Sequence, residues 1–138
     1  MKKLLLVLFS VMYLGVYAQK NKNFQLSSHI LDISTGRPAP QVEVELEKYN
    51  DISKQWVFIT KKMTDNNGRI TDFLPLIKGK SENHGKYRLR FLTENYFTNQ
   101  KTESFYPYIE VVFQIKNDEH YHVPITLSPF GYSTYRGN

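Results

Sequence analysis

The chain has 138 residues, with 18 lysines and arginines against 13 aspartates and glutamates, and a formal net charge of +5. This length suits one domain, and so mild and evenly spread a positive charge argues against a nucleic-acid partner. The chain contains no cysteine, which excludes disulfide bonds and attachment of lipid through cysteine.

The N-terminus has the layout of a secretory signal peptide. Lys2 and Lys3 precede a short, largely apolar stretch, and the residues before Gln19 are small or otherwise acceptable at a signal-peptide cleavage site. The alternative is an uncleaved membrane anchor, but a spanning helix needs about 20 apolar residues and polar residues begin at Gln19. We therefore expect a signal peptide over residues 1–18, a mature domain over 19–138, no stable membrane anchor, and a periplasmic or secreted location.

The first half of the mature domain has the pattern of short β-strands separated by turns. Alternating or β-branched runs predict strands, whereas the Pro38 cluster and the Asp65-Asn66-Asn67-Gly68 segment predict turns. The strands expected here cover residues 24–33, 41–49, 56–60 and 69–73.

The second half continues the same pattern with one interruption. A short helix is expected within residues 93–103, capped by Thr93, and residues 117–119 are expected to form a hairpin turn. The strands predicted around them cover residues 86–92, 108–116, 120–127 and 132–136. Seven to eight short strands with one short helix indicate an all-β, two-sheet β-sandwich.

The segment HYHVPITL, residues 120–127, carries two candidate functional side chains. A period of two puts His120 and His122 on the outward face of this strand. On these residues alone three interpretations stay open: solvated histidines, an acid–base site, or a metal site with His29 as third ligand. Pro124 cannot donate a ladder hydrogen bond, so a strand edge or a bulge is expected there.

The remaining candidates have ordinary explanations when taken one at a time. His29 suits a hydrogen-bonded, half-buried position, Arg69 follows a turn as surface charges often do, and His84 lies in a loop. The sequence contains no nucleophile elbow, phosphate-binding glycine loop or His-Glu-x-x-His motif.

Three segments together carry a resemblance to a known family. They are SSHILDISTGRPAP, TDNNGRI and the closing HYHVPITLSPFGYSTYRGN. Because it contains these three segments in this order, the chain resembles the 5-hydroxyisourate hydrolase branch of the transthyretin family over about residues 24–138. The hormone-carrier branch resembles it less, since that branch lacks the Tyr-Arg-Gly ending and the histidines.

The resemblance implies a transthyretin-like sandwich of eight strands with one short helix. It also implies a homotetramer, a dimer of dimers whose active sites lie in the groove between dimers, and no metal or organic cofactor. The catalytic residues implied are His29, Arg69 and His122, and the substrate-binding residues are Tyr135, Arg136, Gly137 and Asn138.

The implied reaction opens a cyclic amide of 5-hydroxyisourate, a purine-derived small molecule of urate breakdown, to 2-oxo-4-hydroxy-4-carboxy-5-ureidoimidazoline. A neutral imidazole can take a proton from water near pH 7, and an arginine can offset charge that develops on oxygen. Which of His29 and His122 is the base stays open. The alternative is a non-catalytic transthyretin-like protein that binds a small ligand.

Asn138 departs from the family resemblance, which implies a terminal serine. An amide can still donate and accept hydrogen bonds, but it is bulkier than a hydroxyl. We expect activity to persist with a changed KM or rate, and an Asn138→Ser variant with unchanged kinetics would argue against any role for this position.

Overall fold

The structure is a computed structural model that describes residues 23–137. The expected signal peptide and Asn138 lie outside the described residues. The strands of the described part are β1 Phe24–Asp32, β2 Arg37–Pro38, β3 Glu43–Asn50, β4 Gln55–Met63, β5 Arg69–Pro75, β6 Gly85–Leu92, β7 Ile109–Ile115, β8 Tyr121–His122, β9 Ile125–Ser128 and β10 Gly131–Thr134. A 3₁₀ turn, Ser81–Asn83, precedes β6, and helix α1, Glu94–Asn99, follows it.

The first sheet has four antiparallel strands in the order β4-β3-β6-β7. Alternation decides its two faces: Val44 and Leu46 of β3 are fully buried, whereas the glutamates between and beside them face outward. There Glu47 pairs with Arg88, and Glu45 pairs with Arg90. The alternating pattern of residues 41–49 therefore produces a strand with one apolar and one charged face.

The second sheet is built around β1, which has different neighbours along its two halves. Its first half pairs with β5 and β8, and its second half pairs with β2 and β9. Both β8 and β9 run parallel to β1, and they are separated at Pro124. Because proline has no N–H to donate, the strand expected over residues 120–127 is broken there. Strand β10 continues the sheet beyond β9.

The hydrophobic core lies between the two sheets. Its members include Leu26 and Ile30 of β1, Leu89 and Phe91 of β6, and Leu127 of β9, all fully buried. Burial of side chains of this size stabilises a fold by about 1.5–3 kcal/mol each. Two stacked sheets with a continuous core confirm the predicted β-sandwich with one short helix.

Helix α1 is present where the sequence predicts it, but Thr93 does not cap it through its side chain. Thr93 occupies the N-cap position, yet its hydroxyl is buried without a hydrogen-bond partner within residues 23–137. The helix is held by the buried Phe97 and by Tyr96, whose hydroxyl donates to the buried Asp32 carboxylate at 2.9 Å. The prediction of a Thr93 side-chain cap is therefore wrong.

The turn at residues 117–119 does not join a hairpin. Strand β7 before it belongs to the four-stranded sheet, whereas β8 after it pairs with β1 in the other sheet. The prediction of a hairpin is wrong because a period of two cannot tell which strands pair. None of the helices within residues 23–137 is long and apolar enough to cross a membrane.

Candidate active site

His29 and Arg69 face each other across two adjacent strands. They are register partners in the antiparallel β1–β5 pair, with His29 partly buried and Arg69 exposed. The turn before β5 fixes the position of Arg69, the first residue of that strand. The Asp65 carboxylate accepts the backbone N–H of Arg69 at 2.9 Å. Gly68 has φ +67°, and a Cβ there would lie 2.6 Å from the Ile30 carbonyl oxygen. Only glycine fits at this position.

His122 is held from two sides. On one side it is the register partner of Ser27 in the parallel β1–β8 pair. On the other, Gly137 forms a bridge with it, and the Gly137 N–H donates to the His122 carbonyl oxygen at 2.9 Å. A Cβ on Gly137 would come within 2.4 Å of His122 Cδ2. The chain after β10 thus packs directly on the imidazole ring.

The surroundings of both histidines favour the neutral imidazole. Burial lowers the pKa of His122 to about 4, and the charges of Arg69, His120 and His29 act in the same direction. Burial and then Arg69 also lower the pKa of His29, against the opposing effects of the Asn67 backbone and Asp65. Arg69 therefore lies close enough to influence both rings, and both are neutral near pH 7.

The Arg69 guanidinium group makes no hydrogen bond or ion pair within residues 23–137. The arginines of the four-stranded sheet, by contrast, are paired with glutamates. An unpaired guanidinium beside two neutral imidazoles is available for a ligand with carbonyl or negatively charged oxygens.

Ser27 joins the two histidines of the HYH segment. Its Oγ lies 2.8 Å from His120 Nε2 and 2.8 Å from His122 Nδ1, and Ser27 is only 8 % exposed. The interpretation of His120 and His122 as simply solvated histidines, one of the three left open, is therefore not supported. The reason is that β8 lies along β1, which places the two rings over the Ser27 hydroxyl.

Ser27 is the site residue that the sequence argument missed. It lies two positions before His29 in β1, which places both on the same face of the strand. That spacing is the signal that was available. Its contact with His120 joins positions 93 residues apart, so only the fold reveals it.

A cleft of about 430 Å³ opens beside His122. Its other walls include Tyr135 and Arg136 from the C-terminal tail, together with side chains of β7. His29 and Arg69 do not line this cleft, so a single chain divides the predicted residues between two sides of His122. Arg136 lies over the Tyr121 ring and pairs with Glu119 at 3.3 Å, with both charged side chains largely exposed.

The same residues do not form a metal site. Within residues 23–137, no group of three or more histidines and carboxylates is placed to hold a metal ion. His120 uses both ring nitrogens, one towards Ser27 and the other towards the Phe24 carbonyl at 2.9 Å. The described geometry thus does not support the metal interpretation of His120, His122 and His29.

The fold and the site together define a class of protein. A disulfide-free β-sandwich with two neutral imidazoles and an unpaired arginine, one of these imidazoles packed against the C-terminal tail, has the make-up of a hydrolytic acid–base site. Comparison with known proteins gives the family. A model of the HIUase/Transthyretin family matches residues 26–137, and the chain belongs to this family.

Relatives of both sequence and structure support this assignment. The chain is 46% identical over 117 residues to a probable 5-hydroxyisourate hydrolase of Caenorhabditis elegans, covering 82% of this chain and 80% of that one. It is 48% identical over 114 residues to a 5-hydroxyisourate hydrolase of Salmonella dublin, with 82% and 80% covered. The structure of Klebsiella pneumoniae 5-hydroxyisourate hydrolase superposes with a TM-score of 0.69 at 35% identity, covering 83% and 99%. Sea bream transthyretin in complex with thyroxine gives 0.73 at 32% identity, covering 82% and 94%.

Proposed function

We propose that this chain is an enzyme that hydrolyses 5-hydroxyisourate, opening its cyclic amide to 2-oxo-4-hydroxy-4-carboxy-5-ureidoimidazoline in urate breakdown. The relatives with 46% and 48% identity carry the name of this hydrolase. The observation that carries the proposal is the His122 ring held between Ser27 and Gly137, with the register pair His29 and Arg69 near enough to help lower its pKa. Amide hydrolysis at neutral pH requires an unprotonated base and a positive charge near the attacked carbonyl, and these residues supply both.

The proposed reaction needs only water and the substrate. His122 takes a proton from water, and the resulting hydroxide oxygen forms a bond to the amide carbonyl carbon. The carbon–nitrogen bond then breaks as the proton taken up by His122 passes to the ring nitrogen, and the new carboxylic acid loses its own proton to solvent and becomes a carboxylate. Because His122 has a pKa of about 4, it is unprotonated across the physiological range and ready to accept that proton.

The other residues have supporting roles in this proposal. Arg69 holds the substrate oxygens and offsets the negative charge that grows on the attacked carbonyl. His29, its neighbour across β1–β5, orients water or relays to the departing nitrogen the proton that His122 took up. The substrate-binding residues proposed are those of the tail, Tyr135, Arg136, Gly137 and Asn138.

The direct test is turnover of 5-hydroxyisourate generated freshly by urate oxidase. We expect the purified protein to accelerate its loss over buffer, and a His122→Ala variant to lose most of that acceleration while staying folded. His84→Ala is the matched control, since His84 lies in a surface loop paired with Asp118. A parent protein no faster than buffer contradicts the proposal. Thermal stabilisation by the substrate without turnover would instead support a small-ligand-binding protein.

We further propose that the chain assembles as a homotetramer. Two edge strands, β7 and β10, close the two sheets on the same side of the sandwich, where both border the His122 cleft. Exposed apolar side chains accompany them, with Val112 61% and Tyr132 43% exposed. Unpaired edges with apolar side chains favour pairing with the same edges of a second copy.

We also propose export through a cleaved signal peptide over residues 1–18, which places the enzyme in the periplasm or outside the cell. The basic start and short apolar stretch support this proposal. Mass spectrometry of protein recovered from the periplasmic or culture fraction should show a mature chain that begins at Gln19. A full-length mass in the membrane fraction would contradict it.

A further inference from the structure

Ser27, His120 and His122 form a continuous hydrogen-bonded chain. It begins at the Phe24 carbonyl oxygen, 2.9 Å from His120 Nδ1. It continues from His120 Nε2 to Ser27 Oγ and from there to His122 Nδ1, at 2.8 Å for each step. The remaining ring nitrogen, His122 Nε2, has no hydrogen-bond partner within residues 23–137.

The backbone leaves Ser27 little freedom to be elsewhere. Its carbonyl oxygen accepts the Val123 N–H at 3.0 Å, and its side chain is nearly enclosed. The Gly137 backbone packs against the His122 ring from the opposite direction. The backbone therefore fixes the distance between the Ser27 hydroxyl and the His122 ring.

The direction of each hydrogen bond follows from the first one. A carbonyl oxygen only accepts, so His120 Nδ1 carries a proton, and the Nδ1–H tautomer of an imidazole has its lone pair at Nε2. Ser27 has one hydroxyl proton and donates it to that lone pair. Its oxygen accepts from His122, which must carry its proton at Nδ1. The lone pair of His122 is consequently at Nε2.

We propose that Ser27 and His120 are positioning residues that hold His122 in the Nδ1–H tautomer, so that Nε2 is the atom that accepts a proton. The catalytic consequence rests on the function proposed above, but the tautomer is a property of the protein alone. Among titratable groups, His29 on β1 and Arg69 on β5 also act on His122. Neither of them bonds to its Nδ1, so the tautomer depends on Ser27.

The tautomer can be measured directly by two-bond ¹H–¹⁵N correlation spectra of the histidine rings at pH 7.5. The chain has four histidines, and a His122→Asn variant identifies the His122 signals. We expect the Nδ1–H pattern in the parent and a shift towards the Nε2–H pattern in Ser27→Ala, as in a free side chain. Ser27→Thr, which keeps the hydroxyl, should restore the parent pattern.

A matched control separates positioning from a structural effect. Ser28 is the adjacent buried serine, and its hydroxyl donates to the Val123 carbonyl at 2.8 Å, with no hydrogen bond to a histidine within residues 23–137. Ser28→Ala should lower the melting temperature and leave the His122 tautomer unchanged. If Ser27→Ala does not fold, His120→Ala tests the same chain from its partly exposed end, with His84→Ala as control.

Kinetics then test the consequence. We expect Ser27→Ala to lower kcat about tenfold or more with KM within about twofold, because a wrongly placed proton removes the base but not the binding contacts. A parent His122 in the Nε2–H form, or one unchanged by Ser27→Ala, overturns the inference. The expected spectra in a protein without turnover uphold the tautomer and contradict only the proposed function.

Discussion

Gly137 lies directly against the imidazole ring of His122, close enough that a single added methyl group would overlap it at 2.4 Å from Cδ2. The contact joins a residue near the end of the chain to the proposed base. It also explains why a glycine is required in the tail at this point, since the limit is the ring and not an unusual backbone angle.

A Gly137→Ala substitution should therefore displace the His122 ring and lower kcat by about tenfold or more, because a base 1 Å out of place loses most of its effect. The fold should survive, as Gly137 is not part of the core. Gly36→Ala is the control: it has open space around it and φ +67°, so it should cost stability only. Equal kinetics of Gly137→Ala and the parent would contradict the role of this contact.

Arg69→Lys distinguishes a planar guanidinium from a simple positive charge. Because Arg69 makes no ion pair or side-chain hydrogen bond within residues 23–137, its replacement should not destabilise the fold. We expect kcat/KM to fall by about tenfold or more in Arg69→Lys, and further in Arg69→Ala, since lysine cannot bind two oxygens with one fork.

Arg37→Ala serves as the control for Arg69, being an exposed arginine on β2. It should retain parental kinetics and melting temperature. Full activity in Arg69→Ala would remove this residue from the mechanism.

The pH dependence of activity should lack the usual histidine step. His122 must be neutral to act as a base, and its pKa of about 4 lies below the ordinary value of about 6.5. We expect kcat/KM to stay level from pH 8 down to about pH 5 and to fall as pH approaches 4. A fall centred near pH 6.5 in steady-state rates would assign the base to a different group.

The same pKa predicts how stability changes with pH. The unfolded chain binds a proton at His122 from about pH 6.5 downward, whereas the folded chain resists it until about pH 4. This contribution to stability is therefore fully present above about pH 6.5 and is lost progressively as pH falls from there through about 4.

A comparison of urea unfolding at pH 7.5 and pH 4.5 measures this effect. The parent should lose about 2 kcal/mol more than His122→Gln over that interval, because about 1.4 kcal/mol applies to each of the two pH units below 6.5 and solvent screening of the half-exposed ring reduces the total. Identical losses in the two proteins would show that His122 is not held neutral by the fold.

The oligomer proposal is tested by placing a charge on one edge of the sandwich. Val112→Glu on β7 should shift the mass measured by light scattering towards smaller species, since a buried unpaired carboxylate opposes association. Val57→Glu on β4, the opposite edge of the same sheet, is the control and should leave the mass unchanged. A monomeric parent would contradict the proposal outright.

The sequence predicts local features of this fold better than long-range ones. Alternation over residues 41–49 and 86–92 predicts β3 and β6 because each has one buried and one charged face. It also predicts a single strand over residues 120–127, whereas the missing N–H of Pro124 divides it. The false hairpin at 117–119 has the same origin, since a residue pattern gives no pairing partner.

The candidate site likewise combines residues that the sequence predicts with one that only the fold reveals. His29, Arg69 and His122 were found through family motifs, and the fold places all three within reach of one another's charge. The sequence signal for Ser27 is only its spacing of two from His29, which puts the two residues on one face of the strand. Its importance comes from a contact that spans 95 residues to His122, and physical reasoning from composition or period has no access to such contacts.

The tail also has a consequence for how this protein can lose activity. The hydrophobic core ends at Leu127, so removal of residues 135–137 by a protease would leave every core side chain in place. Such a molecule would pass the cell's quality control as a well-folded protein, although the His122 ring would have lost its packing partner. Abundance and melting temperature would then be poor guides to function, and an affinity tag is better placed at the other end of the mature domain.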